Sequence, residues 1–166
     1  GAAGIASLEL IKAMGVRAEN CIAVDSKGVL YRGRTEGMNQ WKSAHAVRTK
    51  ARSLKDAMEG ADVFFGLSVK GAVTKDMVRS MADKPIIFAM ANPDPEITPP
   101  EAKTARPDAI IATGYVDRVD QPSDCAGARV KAQIFADAVN AKWSTNLPTV
   151  RVVIDVANNK LAFTDA

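Results

Sequence analysis

The stretch GAAGIASLELIKAMGVRAENCIAVD, residues 1–25, carries in order a glycine pair, a patterned apolar segment, a short apolar run and an acid. Ile5, Leu8, Leu10, Ile11 and Met14 recur at helical spacing, and Gly15 stands where a helix stops. The spacing predicts an amphipathic helix over 5–14 that opens at Gly4. NCIAVD then reads as a buried strand that ends at Asp25 and enters the turn Ser26-Lys27-Gly28.

The same alternation continues outward along the chain. The pattern from Met38 to about Lys50 is helical, and so is Ser53–Glu59, where Ser53 and Asp56 offer a capping box in its aspartate form. DVFFGL, 62–67, is a buried strand. Thr74 caps TKDMVRSMA, after which KPIIFAMANPDP runs apolar and stops at Asn92-Pro93. A short helix begins near Pro99-Pro100-Glu101 and leads to DAIIATG, a further apolar strand ending at Gly114. Strands apolar on both faces, alternating with helices, require a parallel sheet covered on both sides. The expected fold is therefore α/β, a Rossmann-like doubly wound parallel sheet.

Beyond residue 115 the character changes. YVDRVDQPSDC is polar and turn-rich, AGARVKAQIFADAVNAKW is helical, and TVRVVIDVANNKLAF reads as two strands around Asn158-Asn159. The expected organisation is a binding domain over 1–115 and, over 116–166, a tail made of a helix and a β-hairpin packed against or beside the sheet.

With 47% hydrophobic and 25% charged residues over 166 positions, the chain has the composition of one soluble globular domain. Its net charge of +3 is spread along the length without a basic block, so nucleic acid is not an expected partner. No apolar run is long enough to cross a bilayer, and no signal-like segment opens the chain, so no membrane partner and a cytoplasmic location are expected. Cys21 and Cys125 are far apart, without a CxxC or Cys/His cluster, and read as two unpaired thiols. His45, the only histidine, has no metal-ligand neighbour and is given no catalytic role.

In sheets of this kind ligands sit beyond the carboxyl ends of the strands, which here carry Asp25, Gly66-Leu67-Ser68, Asn92 and Gly114. Gly1-Ala2-Ala3-Gly4 has the spacing of the second half of G-x-G-x-x-G, ahead of a helix; the strand and first glycine of that fingerprint are missing. Gly1 would let the backbone approach a pyrophosphate, Gly4 would let helix and strand pack closely, and the helix N-terminus would meet the phosphate charge. Incidental glycines at a helix start read the same way. Asp25 follows about 24 residues after Gly1, close to where an acid accepts from an adenosine ribose. It is equally a turn residue opening Asp-Ser-Lys-Gly. Lys27 beside it could neutralise the 2′-phosphate of NADP while Asp25 would repel it, which leaves NAD and NADP open with a lean to NAD.

The strings GAAGIASLELI, VDSKGVLYRGRTEGMNQWK, GADVFFGLS, IIFAMANPDPEITPPEA and RPDAIIATG, in that order, are similar to the cofactor domain of bacterial malic enzymes over about residues 1–115. The resemblance implies oxidative decarboxylation of malate to pyruvate and CO2, hydride transfer to NAD or NADP, and a Mg or Mn ion in the full-length enzyme. It implies cofactor contacts at Gly1, Ala2, Ala3, Gly4, Asp25, Ser26, Lys27, Ser68, Asn92 and Gly114, with Asn92 also near the substrate. A strand-ending Asn before Pro reads the same way at 92. It also implies homo-oligomers.

The family's catalytic tyrosine and lysine and its acidic metal ligands precede the glycine loop, so no residue of this chain is assigned catalysis or metal binding. The chain is expected to begin within the domain, to lack the domain's first strand and to be inactive alone. Where the family continues into a malate-binding string with paired asparagines, this chain reads YVDRVDQPSDCAGARV, so residues 116–166 are not expected to complete the malate site. Arg118, Gln121 and Ser123 are the candidates for a substitute. A stand-alone nucleotide-binding or regulatory module is the alternative reading.

Overall fold

The computed structural model describes residues 2–91, 93–113 and 150–155. Their strands are β1 (Cys21–Asp25), β2 (Gly28–Val29), β3 (Val63–Gly66), β4 (Ile86–Ala89), β5 (Ile110–Thr113) and β6 (Val152–Asp155). Their α-helices are α1 (Ala2–Ala13), α2 (Gln40–Ala44), α3 (Leu54–Met58), α4 (Lys75–Arg79) and α5 (Pro99–Ala105). The six strands form one sheet in the order β2-β1-β6-β3-β4-β5, parallel throughout except for β2, which turns back antiparallel on β1. The expected α/β parallel sheet is observed.

Both sheet faces are covered, and alternate strand residues feed two cores. Ile22, Val24, Phe64, Ile87 and Val153 point to one core with Met58, Val78 and Ala102 of α3, α4 and α5. Cys21, Ala23, Val63, Ile86, Val152 and Ile154 point to the other, which Leu8 of α1 closes. Five consecutive buried residues in β1 and four in β6 are what two-sided burial demands of sequence.

Four sequence expectations are corrected. First, the segment around Val152 is not one arm of a hairpin beside the sheet. It is a central parallel strand, paired with β1 on one side and β3 on the other, because its Val-Val-Ile run is apolar towards both cores. The sheet therefore does not lack a strand at that place. The helix expected over 126–143, the second arm beyond Asn158, and Arg118, Gln121 and Ser123 lie outside the described residues.

Second, α1 opens at Ala2 and not at Gly4, since nothing in Ala2-Ala3 opposes helical backbone. Third, its apolar stripe is narrower than the pattern: Leu8 is buried, while Leu10 and Met14 are 62% and 59% exposed. Fourth, the helix expected from Met38 to Lys50 shrinks to α2. Asn39 caps it by accepting from the Lys42 N–H, and after His45 the backbone leaves to pair with the segment following β2: Val47 N–H donates to Leu30 O, and Arg32 N–H donates to Val47 O. Buried β-branched Val47 favours that extended path.

The expected caps are observed: Ser53 and Asp56 form a capping box on α3, and Thr74 caps α4. The helix expected near Pro99 is α5, and the structure adds a Thr98–Glu101 capping box at its start. No helix among the described residues is long and apolar enough to cross a membrane.

Candidate functional site

Parallel alignment brings Asp25, Gly66, Ala89, Thr113 and Asp155 to one edge of the sheet, the carboxyl ends where ligands bind in such folds. α1 is the longest helix among the described residues, and the first-turn N–H groups at its amino end have no intrahelical partner. Gly4 is buried in that first turn, at the position expected of a close helix–strand contact. Ala2 and Ala3 belong to the same turn and not to a loop ahead of it. Gly1, Asn92 and Gly114 lie outside the described residues.

Asp25 is a buried, heavily bonded acid of this edge. Arg34 donates from one nitrogen, Nη2, to both carboxylate oxygens, at 2.8 and 3.0 Å; Lys42 Nζ donates to Oδ2 at 2.7 Å; and the Lys27 N–H closes an Asx turn onto Oδ1 at 2.9 Å. The Asp25 side chain is 1% exposed, Arg34 4% and Lys42 15%. Burial alone would raise the Asp25 carboxyl, but the hydrogen bonds from Lys42, Arg34 and the Lys27 backbone outweigh it and hold the acid below its ordinary 3.8. As placed, Asp25 is an anion spent on two cations. Accepting from a ribose would require one of them to move.

Arg34 reaches further. Its Nη1 donates to Gly28 O and Val29 O and its Nε to Glu36 O, so one guanidinium ties the β1–β2 turn to the 33–37 loop. Gly28 has φ +103 and lies directly against the Arg52 carbonyl, where no side chain fits. Ser26 and Lys27 are exposed at the turn, with Lys27 Nζ 3.0 Å from Glu36 Oε1.

On the other half of the edge, Ser68 is 2% exposed and its N–H donates to buried Glu96. Reading the sequence identified Asp25, Lys27 and Ser68 but missed Arg34, Lys42 and Glu96. Arg34 and Lys42 sit in the quoted GRTEGMNQWK string, yet nothing in their spacing announces a return to Asp25. Glu96, between Pro95 and Ile97, gave no local signal at all.

A cavity of about 470 Å³, lined by Ile22, Thr49, Lys50, Asp56, Gly60 and Arg151, opens at the opposite, amino-terminal end of the strands. Ligands of such sheets sit beyond the carboxyl ends of the strands, so the carboxyl edge remains the candidate site.

A model of the NAD binding domain of malic enzymes matches residues 2–120. The chain belongs to the malic enzyme family. The NADP-dependent malic enzyme of Rhizobium meliloti (strain 1021) is 55% identical over 165 residues, which are 99% of this chain and 21% of that protein. The NAD-dependent malic enzyme of the same organism is 42% identical over 165 residues, 96% of this chain and 21% of that protein. The crystal structure of Entamoeba histolytica malic enzyme aligns with TM-score 0.59 at 38% identity, covering 66% of this chain and 24% of that one. The chain thus spans about a fifth of the length of the bacterial relatives, 21%.

Proposed function

We propose that this chain is the dinucleotide-binding portion of an enzyme that decarboxylates malate oxidatively to pyruvate and CO2, and that its cofactor is NADP. The observation that carries the reading is the match of the malic enzyme NAD binding domain over residues 2–120. The sheet supports it, since the Asp25 cluster lies at its carboxyl edge and α1 packs through Leu8 against β1 and β6, as in a dinucleotide-binding fold.

The preference for NADP replaces the lean to NAD. An acid at the end of β1 would repel a 2′-phosphate, but Asp25 is already offset by Arg34 and Lys42, with Lys27 a third cation at the turn. The balance of charge there is positive. The matched relatives are mostly named NADP-dependent, with one named NAD-dependent.

The family's Mg or Mn ion is a different matter. Among the described residues no group of three or more His, Cys, Asp or Glu side chains comes together, so they do not fit a divalent cation and no step is routed through one. What these residues do is bind and orient: α1 meets the pyrophosphate, the Asp25 cluster meets the adenosine end, and Ser68 meets the nicotinamide end. No side chain in the chain matches the family's proton-transfer pair, so the chain alone is expected to turn over no malate. Assembly into a homo-oligomer belongs to the same reading.

Calorimetric titration with NADP+ and NAD+ tests the assignment. NADP+ should bind more tightly, and Lys42→Gln should weaken NADP+ by about 1–3 kcal/mol while changing NAD+ much less. Equal losses for both cofactors would make Lys42 a structural partner of Asp25 only. Binding of neither by the unsubstituted chain would sink the reading.

A further inference from the structure

Glu96 has no exposed surface, and its carboxylate joins two segments of the carboxyl edge. Oε1 accepts from the Ser68 N–H at 2.8 Å, just beyond β3, and Oε2 accepts from the Ala91 N–H at 3.0 Å, just beyond β4. The Glu96 carbonyl accepts from the Val73 N–H at 3.2 Å, so the far side of the loop that follows Ser68 is held as well. The fit against the sheet is close. A Cβ on Gly66 would lie 2.5 to 2.7 Å from the Glu96 carboxyl atoms, so only glycine at 66 admits this arrangement.

The arrangement leaves one group unsatisfied. Among the described residues, Ser68 Oγ is the one buried side-chain nitrogen or oxygen without a hydrogen-bond partner. Burying an unpaired hydroxyl lowers stability, and such a group in a native fold calls for an explanation. Its backbone is fixed by Glu96 while its hydroxyl waits at the end of β3, on the side of β1 away from the adenosine cluster. In a doubly wound sheet a dinucleotide spans the two halves of this edge, its adenosine on one and its nicotinamide nucleotide on the other.

We propose that Glu96 is a positioning residue of the cleft: it holds the ends of β3 and β4 at one separation, so that the buried Ser68 hydroxyl completes its hydrogen bonding with the nicotinamide half of a bound dinucleotide. This deepens the dinucleotide reading and rests on it.

The test compares the 166-residue chain with Ser68→Ala and Glu96→Gln. Two probes are titrated: NADP+, and adenosine 2′,5′-bisphosphate, which carries the adenosine end alone. Urea midpoints and amide hydrogen exchange are measured on the same samples. Ser68→Ala should raise the urea midpoint, weaken NADP+ by about tenfold and leave the bisphosphate unchanged. Glu96→Gln should speed exchange at the Ser68 and Ala91 amides together and weaken NADP+ more than the bisphosphate. A Ser68→Ala chain that binds NADP+ as before, or is less stable, overturns the ligand contact. Equal losses for both probes in Glu96→Gln, or unaltered exchange at the two amides, overturn the positioning role. If Glu96→Gln fails to fold, Glu96→Asp replaces it in the exchange and titration arms, with the same outcomes deciding. An unsubstituted chain that binds the bisphosphate but not NADP+ overturns this proposal alone, whereas one that binds neither overturns the dinucleotide reading beneath it.

Discussion

At the scale of single residues, Asp25 decides more than its place in a turn suggests. Replacing it by asparagine would leave Arg34, only 4% exposed, without its carboxylate. Removing one partner of a buried pair costs about 3–5 kcal/mol, so Asp25→Asn should lower the free energy of urea unfolding by that amount. Lys42→Gln, at a more exposed position, should cost less. A loss for Asp25→Asn no larger than that for Lys42→Gln would refute the ranking. His45 gives a pH prediction. Lys12 Nζ lies 2.9 Å from its Nδ1, and Glu9 Oε1 lies 3.6 Å from its Nε2. A neutral ring accepts from Lys12 at Nδ1 and keeps its proton at Nε2, towards Glu9. Burial lowers the His45 pKa first and Lys12 lowers it further, against the opposing pull of Glu9; Lys12 is itself lowered, mainly by burial. A base whose folded pKa lies below its unfolded value binds fewer protons when folded, so its contribution is fully present above about pH 6.5 and is lost as pH falls from there through the lowered folded pKa. Stability should therefore decline on acidification below pH 6.5 more steeply in the natural chain than in His45→Gln, as read from urea midpoints across pH 5–8. Parallel curves would refute it. Both residues were visible in sequence, but their side-chain partners arrive from 9 to 36 positions away through tertiary folding, which local pattern does not report.

At the scale of elements, the parts legible in sequence are those whose causes are local. Ser53 with Asp56 and Thr74 were recognisable as helix starts because the side chains bond the first free backbone donors within three residues. Helices of 5 and 7 residues have little internal cooperativity, so their caps matter. Thr98→Ala should cost about 1 kcal/mol in thermal or urea unfolding, with Ser53→Ala similar; no change in either would mean that packing alone holds α3 and α5. Residues 45–50 were misread for the converse reason. Their polar pattern suits a helix, but Val47 is 6% exposed and its backbone is committed to Leu30 and Arg32, a pairing with residues that no window around Val47 contains.

At the scale of the whole molecule, the position of β6 organises everything else. A run such as Arg151-Val-Val-Ile-Asp155 is readable as a strand, but Val-Val-Ile looks alike at an edge and at a centre, so its destination was not readable. In the fold it separates β1 from β3, filling the place that a dinucleotide sheet gives to the strand ahead of its glycine loop. Val153 enters the core under α3, α4 and α5, while Val152 and Ile154 enter the core under α1, so this one strand joins both layers. Without it, β1 and β2 would share no ladder with β3, β4 and β5, and the edges of β1 and β3 would be bare. Two consequences follow from that geometry. Ile154, with no exposed surface, should cost about 2–5 kcal/mol when cut to alanine. Ending the chain at residue 149 should abolish cooperative urea unfolding followed by circular dichroism, since the lost strand contributes two of the sheet's five ladders. A shortened chain that still unfolds in one sharp transition, with Ile154→Ala neutral in the full chain, would show that the sheet closes without β6 and that its central place is dispensable.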